Sequence, residues 1–292
     1  MKYESYYDPK TRKYPYPMDT DHHYLDVKKD NGLVFDDHYP FIDKSKKMLR
    51  NQFWTRLLLH IFVFPLTYAR LGLKVKGKEN LKKYKDLLDK GVVTVSNHVH
   101  MWDYLAIQAA LSKHKMNVVV WDKNIRGENG KMIRSVGGIP VPSDNFKGTL
   151  AFNESINNLL TKDNGWLQVY AEGSMWEYYA PIRPFKLGAS YFAVKSDRPI
   201  LPLAFSYRRP NWFRRLFGQI ATFTLTIGEP IMPDETLPTR EAEIELTTKV
   251  HDSVCLLAGI NPEDSLYNPI FNNDKRVDYY TNKYGIGYKG SW

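Results

Sequence analysis

Five short runs of β-branched or other apolar residues punctuate the chain from Val92 onward: Val92 to Ser96, Val118 to Trp121, Trp166 to Ala171, Ile200 to Tyr207 and Ala221 to Ile227. Each has the length of a strand. Between them the period changes to that of amphipathic helices, most clearly over Tyr104 to Leu111, Phe146 to Leu160 and Lys186 to Lys195, and Arg240 to Ala258 closes the series. Strands alternating with helices predict an α/β fold with a mixed, mostly parallel central sheet flanked by helices. The last strand sets Phe223, Leu225 and Ile227 against Thr222, Thr224 and Thr226, an alternation expected of a half-exposed strand near a sheet edge.

A different pattern precedes these runs. Residues 44–73, KSKKMLRNQFWTRLLLHIFVFPLTYARLGL, open on basic residues and lead into an apolar run from Leu57 to Leu66. That run is shorter than the ~20 residues a spanning helix requires, and His60 and Pro65 interrupt it. The expectation is a membrane-associated helical segment lying in the interface, with Trp54, Phe62 and Phe64 at the acyl boundary and Lys44, Lys46, Lys47 and Arg50 against anionic headgroups. A buried core helix is the alternative. Residues 1–43 and 261–292 are rich in Tyr, Pro and Asp without a sustained period, and read as an extended N-terminal segment and an irregular C-terminal tail. One main domain, residues 74–260, remains.

Composition narrows the partners. Lys and Arg total 41 against 32 Asp and Glu, a net charge of +9, which favours an anionic partner such as a nucleic acid or an acidic membrane. Cys255 is the single cysteine, so neither a disulfide framework nor a cysteine zinc cluster can form within the chain, and a reducing compartment fits. Asp8, Asp19 and Asp21 stand among tyrosines and prolines where a secretory signal would need an apolar core, so the chain is expected to begin near Met1 without one.

The candidate chemistry lies where the first strand ends. VVTVS is followed by Asn97, His98, Val99, His100, Met101, Trp102 and Asp103, and then by a helix. The C-terminal ends of strands are where open α/β sheets bind ligands. His98 and Asp103 are five apart, too far round a continuous helix to touch, so they must straddle a turn. If Asp103 opens the helix, its carboxylate can hold one imidazole nitrogen and leave the other as a base. Taken alone, the pair is better explained by a helix-capping Asp103 and a polar loop histidine.

Asn97-His98 with Asp103 resembles the His-x4-Asp block of the lysophospholipid and glycerol-3-phosphate acyltransferase family, which includes the 1-acylglycerol-3-phosphate acyltransferases. Three further blocks follow in the family's order: Gly137-Gly138-Ile139-Pro140-Val141, Glu172-Gly173-Ser174, and Pro199-Ile200-Leu201-Pro202-Leu203, with Pro184-Phe185-Lys186 connecting the last two. The resemblance spans about residues 75 to 230. It implies that residues 74–260 form an acyltransferase catalytic domain, with His98 the general base and Asp103 its orienting partner. Asn97, Gly138, Ile139, Pro140, Glu172, Gly173, Ser174, Lys186 and Pro202 are then the substrate-binding positions. The implied reaction moves a fatty acyl group from acyl-CoA or acyl carrier protein to a lysophospholipid hydroxyl, most simply that of 1-acylglycerol-3-phosphate. It needs no metal or other cofactor, involves no nucleic acid, and takes place on anionic lipids at the cytoplasmic face of a membrane, with the protein peripheral or monotopic.

Two departures bear on the acceptor. Met175 stands where the family's third block carries a phosphate-binding arginine, and Pro142-Ser143 stand where the second block ends in Asp-Arg. Methionine cannot make bidentate phosphate contacts. Arg134, Lys147, Arg183 and Lys186 are nearby candidates to replace them, or the acceptor is a lysolipid without a phosphate monoester. Two rival classes stay open at this level. His98, His100 and Asp103 superficially resemble a metallohydrolase cluster. Arg208, Arg209, Arg214 and Arg215 around Trp212 and Phe213 would suit a nucleic acid as well as a bilayer.

Overall fold

The computed structural model describes residues 30–219 and 221–262; the remainder of the expected N-terminal segment and nearly all of the expected C-terminal tail lie outside them. Lys46–Leu58 (α1), a π-helical turn over Leu59–Val63, and Phe64–Leu71 (α2) make one interrupted helix. Ser45 starts it, its hydroxyl accepting from the Met48 N–H at 3.2 Å. The wide turn precedes Pro65, which lacks an N–H and would collide with a carbonyl of a regular α-helix. Gly72, at φ +55°, ends the helix in the left-handed conformation that favours glycine.

The domain then runs Lys74–Lys76 (β1), Lys78–Lys83 (α3), Lys85–Leu88 (α4), Val92–Ser96 (β2), Asp103–Ala110 (α5), Met116–Trp121 (β3), Asp122–Arg126 (α6), Gly130–Ser135 (α7), Gly138–Val141 (β4), Phe146–Thr161 (α8), Trp166–Val169 (β5), Gly188–Ser196 (α9), Ile200–Arg208 (β6), Trp212–Leu216 (α10), Thr222–Ile227 (β7) and Thr239–Ala258 (α11). The seven strands form a single sheet in the order β1-β7-β6-β2-β5-β3-β4. Only the β6–β7 pairing is antiparallel, so the sheet is mixed and mostly parallel.

Each sheet face buries its own core. Val93, Val95, Leu167, Ile200 and Ala204 pack under Phe152 and Ile156 of α8, Phe192 and Ala193 of α9, and Val250 and Val254 of α11. Val92, Leu201, Leu203, Phe205 and Leu225 pack under Leu71 of α2, Leu88 of α4, and Ala106 and Ile107 of α5. Phe35 and Phe41, on the chain before α1, are buried in the first of these cores. By contrast α1 has no buried residue, and Phe53, Trp54, Ile61 and Phe62 are exposed. This excludes the buried-core alternative for α1, but Leu59 and Phe64 are buried against Ala109 of α5, so Phe64 faces the core and not the acyl boundary expected for it. No helix among the described residues is long and apolar enough to cross a membrane.

One expectation needs correction. β7 is next to the edge, but Thr222 and Thr224 are buried, so it is not half exposed. β1 covers it on the outside, and Arg208 reaches over the threonine face, its Nε donating to Thr224 Oγ1 at 2.9 Å.

Candidate active site

β2, β5 and β3 lie side by side and parallel, so the loops that leave their C-terminal ends converge. The loop after β2 wraps around the carboxylate of Asp103, in the first turn of α5. Asp103 Oδ2 accepts from the Val99 N–H at 2.6 Å, the His100 N–H at 2.9 Å and His98 Nδ1 at 3.1 Å. A carboxylate at a helix N-terminus is also favoured by the helix dipole. Burial pushes the Asp103 carboxyl above its ordinary range, and the hydrogen bonds from His98, His100 and Val99 oppose that shift.

With Asp103 ionised, its oxygen can only accept, so His98 Nδ1 carries the proton and Nε2 keeps its lone pair. Nε2 has no hydrogen-bond partner among the described residues. The His98 side chain is 24% exposed while that of Asp103 is completely buried. Tyr170, just past the end of β5, stacks on the imidazole with centroids 3.8 Å apart and planes 15° from parallel. The ring is therefore held at its edge by Asp103 and on one face by Tyr170.

His98 opens into a cavity of about 550 Å³. Its walls are mainly apolar, from Val118 and Val120 of β3, Val169 of β5, and Ala189 and Phe192 of α9, with Met175 and Lys186 beside them. Gly173 brings the chain round at φ +80°, and a Cβ there would stand 2.9 Å from Lys186 Cε. Glycine at 173 thus lets the lysine side chain cross the loop at the cavity.

The loop from Glu172 to Tyr179 is fastened to the His98 loop. The Trp176 N–H donates to the His98 carbonyl at 3.0 Å and the Tyr178 N–H to the Val99 carbonyl at 2.8 Å. Buried Glu172 accepts from the His98 N–H at 3.0 Å, from Arg183 Nη2 at 3.0 Å and from the Arg183 N–H at 2.9 Å. Arg183 also donates to Ser174, to its hydroxyl at 2.8 Å and to its carbonyl, and lies over the Trp176 ring.

The structure separates the positions expected to bind substrate. Gly173, Ser174 and Lys186 line the His98 cavity. Glu172 turns inward and saturates its carboxylate on His98 and Arg183. Asn97 is wholly buried, with its amide giving to the Phe205 carbonyl at 3.0 Å and accepting from the Phe205 N–H at 2.8 Å, so it ties β2 to β6. Pro202 lies within β6 opposite Val95, its carbonyl accepting from the Gly228 N–H. Gly138 and Ile139, at the start of β4, line a separate cavity of about 530 Å³ beside His114 and Trp166, at the opposite ends of the strands. Their strand runs parallel to β3, so Val141, at the end of β4, reaches the His98 cavity in their place, and Pro140 does not line it.

Of the four cations considered for the acceptor, Lys186 alone lines this cavity. Arg134 holds the carbonyls of Pro40, Phe41 and Gly138, Arg183 is buried on Glu172, and Lys147 is exposed at the start of α8. Tyr170 and Val141 were not among the expected site residues. Tyr170 follows Val169, whose ladder partner is Val95, and only that register puts it beside His98.

Other chemistry finds little support in the same geometry. Among the described residues no group of three or more His, Cys, Asp or Glu side chains is placed to hold a metal. His100 Nδ1 accepts from the Trp102 N–H, and the ring packs edge-on to Tyr178 and Phe223. Burial of Cys255 pushes its thiol up, so it is no ready nucleophile. A base with a free imidazole nitrogen at the mouth of an apolar cavity can deprotonate a hydroxyl held there.

The family match agrees with acyl transfer. Residues 72–206 match the family model described as Acyltransferase. A solved structure, that of the 1-acyl-sn-glycerophosphate (LPA) acyltransferase PlsC from Thermotoga maritima, is similar at 19% identity and a TM-score of 0.44, over 72% of this chain and 83% of that one. Residues 72–206 are thus similar to the Acyltransferase family, and the protein is an acyltransferase.

Proposed function

We propose that the protein transfers a fatty acyl group from an acyl thioester, acyl-CoA or acyl carrier protein, to the hydroxyl of a lysophospholipid, with 1-acylglycerol-3-phosphate as the first acceptor. The observation that carries this reading is the Asp103-held imidazole of His98 at the opening of a mainly apolar cavity. His98 Nε2 takes the acceptor's hydroxyl proton as its oxygen attacks the thioester carbonyl. Asp103 stabilises the imidazolium that forms. Collapse of the tetrahedral intermediate breaks the C–S bond, and the leaving thiolate recovers the proton from His98. Only protons and an acyl group move, so the step calls on no metal or redox cofactor.

Tyr170 limits the imidazole to one plane, and Glu172 holds the backbone of His98, so both act by position. The apolar walls suit an acyl chain, and Lys186 suits an anionic headgroup. Having Lys186 as the one candidate cation at the cavity favours a second reading of the acceptor, a lysolipid whose phosphate is a diester. The exposed apolar residues of α1, together with exposed Lys46, Lys47 and Arg50, support a peripheral or monotopic position on anionic lipid at a cytoplasmic membrane face, while Lys44 is paired with Asp163.

The test is an assay of purified protein with acyl-CoA and acyl carrier protein thioesters against glycerol-3-phosphate, 1-acylglycerol-3-phosphate and diester lysolipids. Ester formation with 1-acylglycerol-3-phosphate is the expected result. Transfer to diester lysolipids alone would establish the second reading, and thioester hydrolysis without transfer to any acceptor would overturn both.

A further inference from the structure

β6 outruns its neighbour β2: their pairing ends at Ser96 and Leu203, while β6 continues to Arg208, paired with β7. The connection that follows carries α10 beyond the end of the sheet from which the His98 loop also leaves. Asn211 starts this helix, its Oδ1 accepting from the Arg214 N–H at 2.9 Å. Trp212, Phe213, Leu216 and Phe217 are spaced one helical turn apart in pairs, and each is between 54% and 77% exposed. The Phe213 and Phe217 rings meet at 4.9 Å and those of Trp212 and Phe213 at 5.9 Å. The cluster therefore packs on itself while leaving most of its surface to solvent, a cost in water that points to a binding surface.

The base of this projection is rigid. Arg208 donates to the carbonyls of Phe223 and Gly72, Arg214 to Gln219 Oε1 at 2.7 Å, and Gln219 Nε2 to the Arg70 carbonyl at 2.9 Å. These bonds fasten α10 to the C-terminal end of α2. Two arginines are thus used in bracing, while Arg209 and Arg215 remain exposed.

We propose that α10 is a second membrane contact, with Trp212, Phe213, Leu216 and Phe217 in the acyl boundary and Arg209 and Arg215 against anionic headgroups. Aromatic and aliphatic side chains beside arginine match the chemistry of that boundary. The attachment joins α10 to the C-terminal end of the same interrupted helix whose earlier part, α1 and the π-helical turn, carries the exposed apolar residues read above as membrane-facing. Because α10 leaves the same end of the sheet as His98, lipid bound there sits beside the catalytic loops, and an acceptor can reach them with its chains still in the bilayer. The role in presenting the acceptor rests on the proposed function; the lipid contact itself does not.

The experiment compares the full chain with a variant carrying Trp212→Ser, Phe213→Ser, Leu216→Ser and Phe217→Ser. Sedimentation with phosphatidylcholine vesicles, with and without phosphatidylglycerol, is measured in the presence of competitor DNA. The expected result is at least about tenfold weaker binding to the anionic vesicles, because four apolar insertions are removed. Turnover of lysolipid held in vesicles falls with it, while turnover of a dispersed short-chain acceptor is retained. As a second measurement, brominated lipid quenches the wild-type fluorescence more than that of Trp212→Phe, which leaves the fold intact. Unchanged vesicle binding and quenching overturn the proposal, as does binding that DNA abolishes or an effect confined to self-association on gel filtration. Quenching at Trp212 in a protein that transfers no acyl group would sustain the contact and sink the function.

Discussion

Two side-chain pairs of nearly the same length lie within one cluster of loops. His98 and Asp103 are 3.1 Å apart, and Arg183 and Glu172 are 3.0 Å apart. Distance does not distinguish them; access and saturation do. In the first pair one member keeps an unused nitrogen and a quarter of its side-chain surface, at the edge of a cavity. In the second, both side chains are at most 2% exposed and Glu172 also holds the His98 backbone. In the proposed mechanism the first exchanges a proton, and the second holds the His98 loop in place.

The strongest test of that division is His98→Ala. The reading expects turnover to fall by about 10⁴-fold or more, roughly 5.5 kcal/mol of transition-state stabilisation, with the unfolding midpoint nearly unchanged. Steady-state assays on the folded variant decide it, and substantial remaining activity would leave the reaction without its base. The second pair should respond in the opposite sense. Arg183→Met leaves a buried carboxylate without its partner and is expected to cost about 3–5 kcal/mol in urea unfolding. If that variant is as stable as the parent, the pair is no brace.

His100 extends the contrast to a histidine two residues from the proposed base. Burial, with Arg70 and His98 adding to it, lowers its pKa to about 3 from 6.5. The folded state therefore resists a proton that the unfolded state accepts. This contribution is fully present above about pH 6.5 and is lost as pH falls toward 3. Between pH 6.5 and 5 it amounts to about 2 kcal/mol at roughly 1.4 kcal/mol per unit. His100→Asn, whose side-chain oxygen can still accept from the Trp102 N–H, should flatten that part of the stability profile, as thermal melts over the range would show.

The smallest expected effect concerns Lys186, the cation on the reactive side of the cluster. Lys186→Gln should raise KM for acceptors with an anionic headgroup by about tenfold, with little change in kcat. An equal loss with a neutral acceptor would assign the lysine to support of the Gly173 loop instead.

Much of the fold was legible in the chain's own pattern. The strands at Val92 and Ile200 and the helices at Phe146 and Thr239 begin within a residue of where the periodicity puts them. β1 and β4 were not legible. Lys74–Lys76 has no apolar run, and Gly138–Val141 reads GIPV, with the two residues that ordinarily weaken a strand. Pairing with β7 and β3 makes strands of them.

The sequence by itself determined the alternation of strands and helices and the His98–Asp103 pair, because both depend on residues near each other along the chain. Only the tertiary structure decided how that pair is surrounded. Glu172 is 74 residues from His98, and the stacked ring of Tyr170 is similarly distant in sequence. Their places follow from the register of β2 against β5, which is chosen when side chains on both faces of the sheet are buried together. The same cause took Gly138 and Ile139 to the far end of the strands and brought Lys186 across Gly173 to the cavity. Local pattern could name the proposed base, but long-range packing built its surroundings.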